Sequence, residues 1–224
     1  MRESQRHVLT LILGSSVAQA IPLAISPLLT RLYTPEEFGL FALFLAVSLV
    51  FGSIATARYE MAIMLPKTEN EALNVAAVCA LINIAISTTL LIVVALIGES
   101  IATRLGNISI QGWLYLVPVS VFATGVFNIL SYLNNRRKQY RYIAQASVFR
   151  SLIIAIGQLG LSAWRTGGFG LIIGQMLGVM AATARLFSLS KFRSADLKTI
   201  SARQMLDAAY RYRDFPKFSV WGVL

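Results

Sequence analysis

The 224-residue sequence predicts an all-α fold, a polytopic bundle of transmembrane helices with six complete spans and the start of a seventh. Three observations carry this expectation. Hydrophobic residues make up 56% of the chain and charged residues 13%, and the mean hydropathy of +0.67 is far above that of a water-soluble domain. The apolar residues gather into stretches of about 20 or more, the length that crosses about 30 Å of hydrocarbon as a helix. The lysines and arginines collect in the short polar segments between those stretches, where they orient a membrane protein.

Taken in order, the first span is predicted at residues 8–32. It follows MRESQRH, and Ala18-Gln19-Ala20 inside it imitates a secretory signal with its cleavage site. The apolar run continues past that site to Leu32, so the segment reads as an uncleaved span. YTPEE (33–37) has room only for a tight turn into a second span at 38–57. Further spans are expected at 72–97, 113–133, 142–164 and 169–187, the last pair joined by RTGG (165–168). Residues 1–187 thus read as one six-helix bundle. Residues 188–214, with SADLKTISARQMLDAAYRYRD, read as a cytoplasmic interfacial segment, and 215–224 as the start of a truncated seventh span.

Fifteen lysines and arginines fall on the side of the N-terminus and of 188–214. Three, Arg31, Arg104 and Arg165, fall on the other, with Arg58 and Arg150 set aside as intramembrane. The N-terminus is therefore expected in the cytoplasm. The net charge of +10 is spread over loops and not along one face, which speaks against a nucleic-acid partner. A single cysteine, Cys79, in an apolar run and a single histidine, His7, in the basic N-terminus offer no disulfide and no metal site. No cofactor is expected. An enzyme would need a large extramembrane loop or a cluster of His, Asp and Glu at one membrane face, and the sequence offers neither.

Function is sought in polar residues that recur at helical spacing inside the spans, because a helix facing only lipid needs none. Ser15, Gln19, Ser26 and Thr30 share a face of the first span with Pro22; Ser120, Thr124, Asn128 and Ser131 do so in the fourth. Ser147, Ser151, Gln158 and Ser162 line the fifth, with Arg150 beside them and about 12 Å along the helix from Tyr142. Asn83 and Ser87 add one turn of the third. One stripe alone would be explained by interhelical hydrogen bonds, but stripes on several helices of one bundle predict a shared hydrophilic cavity. The sixth span differs: Gly170, Gly174 and Gly178 form overlapping GxxxG units that predict close helix packing, with Gln175 open to either role.

The step ATARYEMAIMLP (55–66) puts Arg58 and Glu60 at the cytoplasmic end of the second span. On a regular helix, residues two apart are turned by about 200°, so the two cannot pair. Glu60 would share a face with Ser53 and Thr56, beside a polar stripe where a carboxylate can take a proton or cation. Arg58 and Tyr59 would be an interfacial anchor, the arginine snorkelling and the tyrosine in the aromatic belt.

LLTRLYTPEEFGLFAL (28–43), ARYEMAIMLPKTENEA (57–72) and YRDFPKFS (212–219) resemble the polysaccharide biosynthesis or O-antigen flippase proteins of the multidrug/oligosaccharidyl-lipid/polysaccharide exporter superfamily. The resemblance implies two pseudo-symmetric helical bundles in the bacterial inner membrane. They carry undecaprenyl-pyrophosphate-linked oligosaccharide between leaflets by alternating access, through a cavity of cationic and polar residues. It favours Arg58 facing that cavity. The chain is about half the family's length, so it is expected to be the first bundle of a longer protein or a truncated one. With that substrate class in view, Arg150, Arg58 and Arg31 are candidates for the pyrophosphate and Gln19, Asn128 and Gln158 for the sugar. Glu60 would couple the cycle to H+ or Na+. Glu60 and Arg150 lie at compatible depths and are expected to pair at rest. Two other readings stand beside this one, a multidrug exporter of the same superfamily and a non-transporting membrane assembly subunit.

Overall fold

The computed structural model describes residues 2–163, 168–190 and 199–212. Among them every regular element is helical. The elements are α1 (Arg2–Leu32), α2 (Pro35–Ser53), a 3-10 helix (Tyr59–Met64), α3 (Glu69–Arg104), a 3-10 turn (Ile108–Ile110) and α4 (Gln111–Leu114). Then follow α5 (Val117–Arg136), α6 (Tyr140–Gly160), a 3-10 turn (Leu161–Ala163), α7 (Phe169–Leu189) and α8 (Ala202–Arg211). Six of these helices are long and apolar enough to cross a membrane: the chain is a multi-pass membrane protein. The seventh span expected at 215–224 lies outside the described residues.

Local chemistry sets the helix starts. Thr34 caps α2 through a reciprocal box, its hydroxyl accepting from the Glu37 amide while the Glu37 carboxylate accepts from the Thr34 amide at 2.9 Å, and Pro35 occupies the first turn. The same Glu37 carboxylate accepts from the Gly168 amide at 3.2 Å, tying the start of α2 to the start of α7. Gly168 has φ 77, a left-handed conformation that suits a glycine. The stretch expected as one span at 113–133 is divided into α4 and α5, with Pro118 in the first turn of α5. At 36 residues, α3 is about 54 Å long and exceeds the bilayer core.

One departure from the sequence expectation changes the reading of the site. The second span does not run on to Ala57. Helix α2 ends at Ser53, Ala57 and Arg58 take left-handed φ values of 50 and 63, and the chain goes on as the 3-10 helix. For non-glycine residues this conformation costs about 1–2 kcal/mol each. It is offset because Tyr59, Ala62 and Ile63 are buried in a cluster with Val75, Cys79 and Leu133. Arg136 holds this stretch, donating to the carbonyls of Ile63, Met64 and Thr68 and pairing with Glu69.

Helix α5 is the hub and packs on α2, α3 and α7, whereas α6 packs chiefly on α7 and α1. The GxxxG face of α7 makes the α6 contact: a side chain on Gly174 would start 2.8 Å from the Gln158 backbone nitrogen. Helix α8 lies across the start of α3. Asn74, fully buried, donates to Asn70 O (2.8 Å), Thr199 O (3.3 Å) and Gln204 Oε1 (3.0 Å) and accepts from the Ser201 amide (3.0 Å), while Arg211 pairs with Glu71. Leu206 and Tyr210 of α8 are exposed.

Candidate functional site

Between α2, α5, α6 and α7 lies a cleft of about 280 Å³. Its polar lining comes from Ser48 and Ser53 on α2, Ser120, Thr124 and Asn128 on α5, Arg150 on α6 and Gln175 on α7. The three α5 residues recur every four positions, so one face of the hub helix carries them all. Phe44 and Val179 supply apolar wall.

Arg150 is the eleventh of the 21 residues of α6, so it sits at mid-helix, about 15 Å from either end. Its guanidinium lies 6.0 Å from the ring centroid of Phe127, a cation–π contact from α5. Among the described residues no carboxylate pairs with it. The N–H donors of a guanidinium therefore remain open to an anion in the cleft. Ser48 adds a second open group, a buried hydroxyl without a hydrogen-bond partner among the described residues.

Of the residues assigned from sequence to substrate or coupling, the structure gathers only Asn128 and Arg150 into this cleft, together with Ser120 and Thr124 of the α5 stripe. Gln158 sits in the α6–α7 interface, where its side-chain amide donates to Leu171 O at 3.3 Å and its carbonyl accepts from the Tyr33 hydroxyl at 2.6 Å. Gln19 and Arg31 are exposed on α1, away from the cleft lining. Arg58 is half-buried at the left-handed turn. Glu60 is buried, accepts a hydrogen bond from the Thr56 hydroxyl, and acts electrostatically on Cys79 of α3 and Tyr132 of α5. The helical phase that set Arg58 and Glu60 on opposite faces does not apply, because the chain is not a regular helix there.

The expected Glu60–Arg150 pair is not formed: the irregular stretch after Ser53 sets Glu60 in a 3-10 helix that packs on α3 and α5, while Arg150 faces α2 and α7. Ser48 was missed from sequence, and Gln175 was left open. The signal for Ser48 was present, since Ser48, Gly52 and Ser53 are the small or polar positions at the end of an otherwise apolar α2 and all line the cleft.

Comparison with known proteins gives one result. A family model described as polysaccharide biosynthesis protein matches residues 28–210, well over half of the chain. Neither a curated protein nor a solved structure matches it.

Proposed function

We propose that this chain, which belongs to the polysaccharide biosynthesis protein family, forms one bundle of a transporter that moves a polyprenyl-pyrophosphate-linked oligosaccharide of the undecaprenyl type across the bacterial inner membrane by alternating access. Membership gives the chain a role in polysaccharide biosynthesis; the transport step is inferred from the cleft. The observation that carries it is Arg150, a mid-helix cation without a carboxylate partner among the described residues, beside hydroxyl and amide groups. A pyrophosphate takes the guanidinium by charge-assisted bidentate bonds. The sugars take Asn128, Gln175 and the serines. The polyprenyl tail stays in lipid.

A cationic drug would require acidic groups in the cleft, and its lining has none. Glu60 is the only buried carboxylate among the described residues; in this account it takes the coupling H+ or Na+ next to the hinge-like break at Ala57 and Arg58. The N-terminus is cytoplasmic in this account, from the charge asymmetry of the loops.

The test uses a cysteine at Thr124 in a Cys79→Ala background of the full-length gene product, labelled by a water-soluble maleimide. Undecaprenyl-pyrophosphate-linked saccharide is expected to slow labelling several-fold and a lipophilic cation to leave it unchanged. Protection by the cation alone would support the multidrug reading, and protection by neither the assembly-subunit reading.

A further inference from the structure

A second feature lies on the opposite side of α6. A groove of about 420 Å³ is lined by Arg141, Ala144, Gln145, Val148, Phe149 and Leu152 of α6, with Gly14 of α1 and Arg185 of α7. At about 100° per residue, the six α6 positions fall within an arc of about 140°, and Arg150 points nearly the opposite way. The groove is therefore separate from the cleft. At Gly14 a side chain would start 2.5 Å from the Ala144 β-carbon, so α1 lies directly on α6.

Three arginines at this end of the bundle are paired with carboxylates. Arg136 and Arg137 are held by Glu69, and Arg211 by Glu71. Arg141 and Arg185 are exposed, and neither has a carboxylate partner among the described residues. They sit together at one mouth, because α6 begins and α7 ends at the same side. Below them the wall turns apolar, with Phe149 37% and Leu152 43% exposed. From Arg141 to Leu152 is about 16 Å along the helix, close to the roughly 15 Å depth of one leaflet's hydrocarbon.

We propose that this groove binds an anionic glycerophospholipid from the leaflet at the basic end of the bundle, its phosphate between Arg141 and Arg185 and an acyl chain along Val148, Phe149 and Leu152. Gln145, one turn below Arg141, reaches the ester region. The lipid fastens α1, which touches the bundle mainly through α6, to the α6–α7 pair. A polyprenyl phosphate shares the anionic head, but the glycerolipid is favoured because the groove runs one leaflet deep and does not open onto the cleft.

The test is native mass spectrometry of the purified chain in detergent with added phosphatidylglycerol, phosphatidylcholine or undecaprenyl phosphate. Phosphatidylglycerol is expected to stay bound where phosphatidylcholine is lost. Its apparent affinity should fall roughly 30-fold in the Arg141→Ala/Arg185→Ala double variant, at about a factor of five for each arginine near an anionic lipid. Arg141→Lys/Arg185→Lys should keep most of the binding, since a point charge still meets phosphate. Both positions are exposed, so folding should survive either change. Arg150→Ala should leave the adduct unchanged, which keeps this result independent of the transport reading. Equal retention of the two phospholipids, undiminished phosphatidylglycerol binding in the double alanine variant, or its displacement by equimolar undecaprenyl phosphate would overturn the proposal.

Discussion

Arg150→Ala in the full-length gene product is expected to abolish surface polysaccharide while the protein still inserts at normal abundance. An arginine at the centre of a spanning helix costs about 2.5–3.5 kcal/mol on insertion scales, so its removal should not harm insertion. What is lost is the cleft's cation and its bonds to phosphate, which are worth about 1.5–3 kcal/mol for each charged hydrogen bond. Arg150→Lys should be partly active, because a lysine keeps the charge and loses the bidentate fork. Ser48→Ala should have a smaller effect, since that hydroxyl adds one neutral donor to the same cleft. Polysaccharide at matched membrane abundance is the readout, and normal levels in Arg150→Ala would remove the basis of the transport reading.

A loss of similar size, but of fold, is expected from Gly174→Leu. The α6 and α7 backbones touch here: a β-carbon on Gly174 would lie 2.8 Å from both the Gln158 nitrogen and its Cγ, and one on Gly157 would lie 2.9 Å from the Gly174 Cα. Backbone atoms cannot step aside, so a leucine must drive the helices apart. That breaks the Gln158 amide bond to Leu171 O and the Tyr33 hydroxyl bond to Gln158 O. Overpacking alone costs about 1–3 kcal/mol, and each buried polar group left without a partner adds about 1–3 kcal/mol. The thermal midpoint in detergent should fall by about 5 °C or more. Gly39→Ala, at a position with open space around it, is the control and should leave the midpoint within about 1–2 °C. An unchanged midpoint in Gly174→Leu would mean that α6 and α7 do not meet through this face.

The six spans were legible because hydropathy and length constrain a membrane helix so strongly. Chain breaks inside the apolar stretches were less so. ATARYE contains no glycine or proline to mark the end of the regular helix after Ser53; Ala57 and Arg58 adopt positive φ because burial of Tyr59 and Ile63 outweighs local preference. That single break relocated Glu60. In the site, Thr124 and Asn128 were legible as one face of a helix, and Arg150 as a charge too deep to be incidental. Gln158 was misplaced by geometry: eight residues from Arg150 it is turned by about 80°, enough to move it from the cleft into the α7 contact. Which helix lies on each side of α6 is a tertiary fact that periodicity does not carry. Residues 188–214 read as an interfacial segment, yet the anchor of α8, Asn74, follows the polar start Glu69-Asn70-Glu71 of α3 and showed no signal beyond being polar.

Recognition of pyrophosphate by Arg150 is tested most directly by the affinity of the full-length gene product for undecaprenyl pyrophosphate against neutral undecaprenol, measured on the native protein and on Arg150→Ala. The native protein is expected to prefer the pyrophosphate by roughly tenfold to a hundredfold, the size of one to two charge-assisted hydrogen bonds, and Arg150→Ala to bind the two lipids alike. A preference for pyrophosphate that persists undiminished in Arg150→Ala would contradict the account.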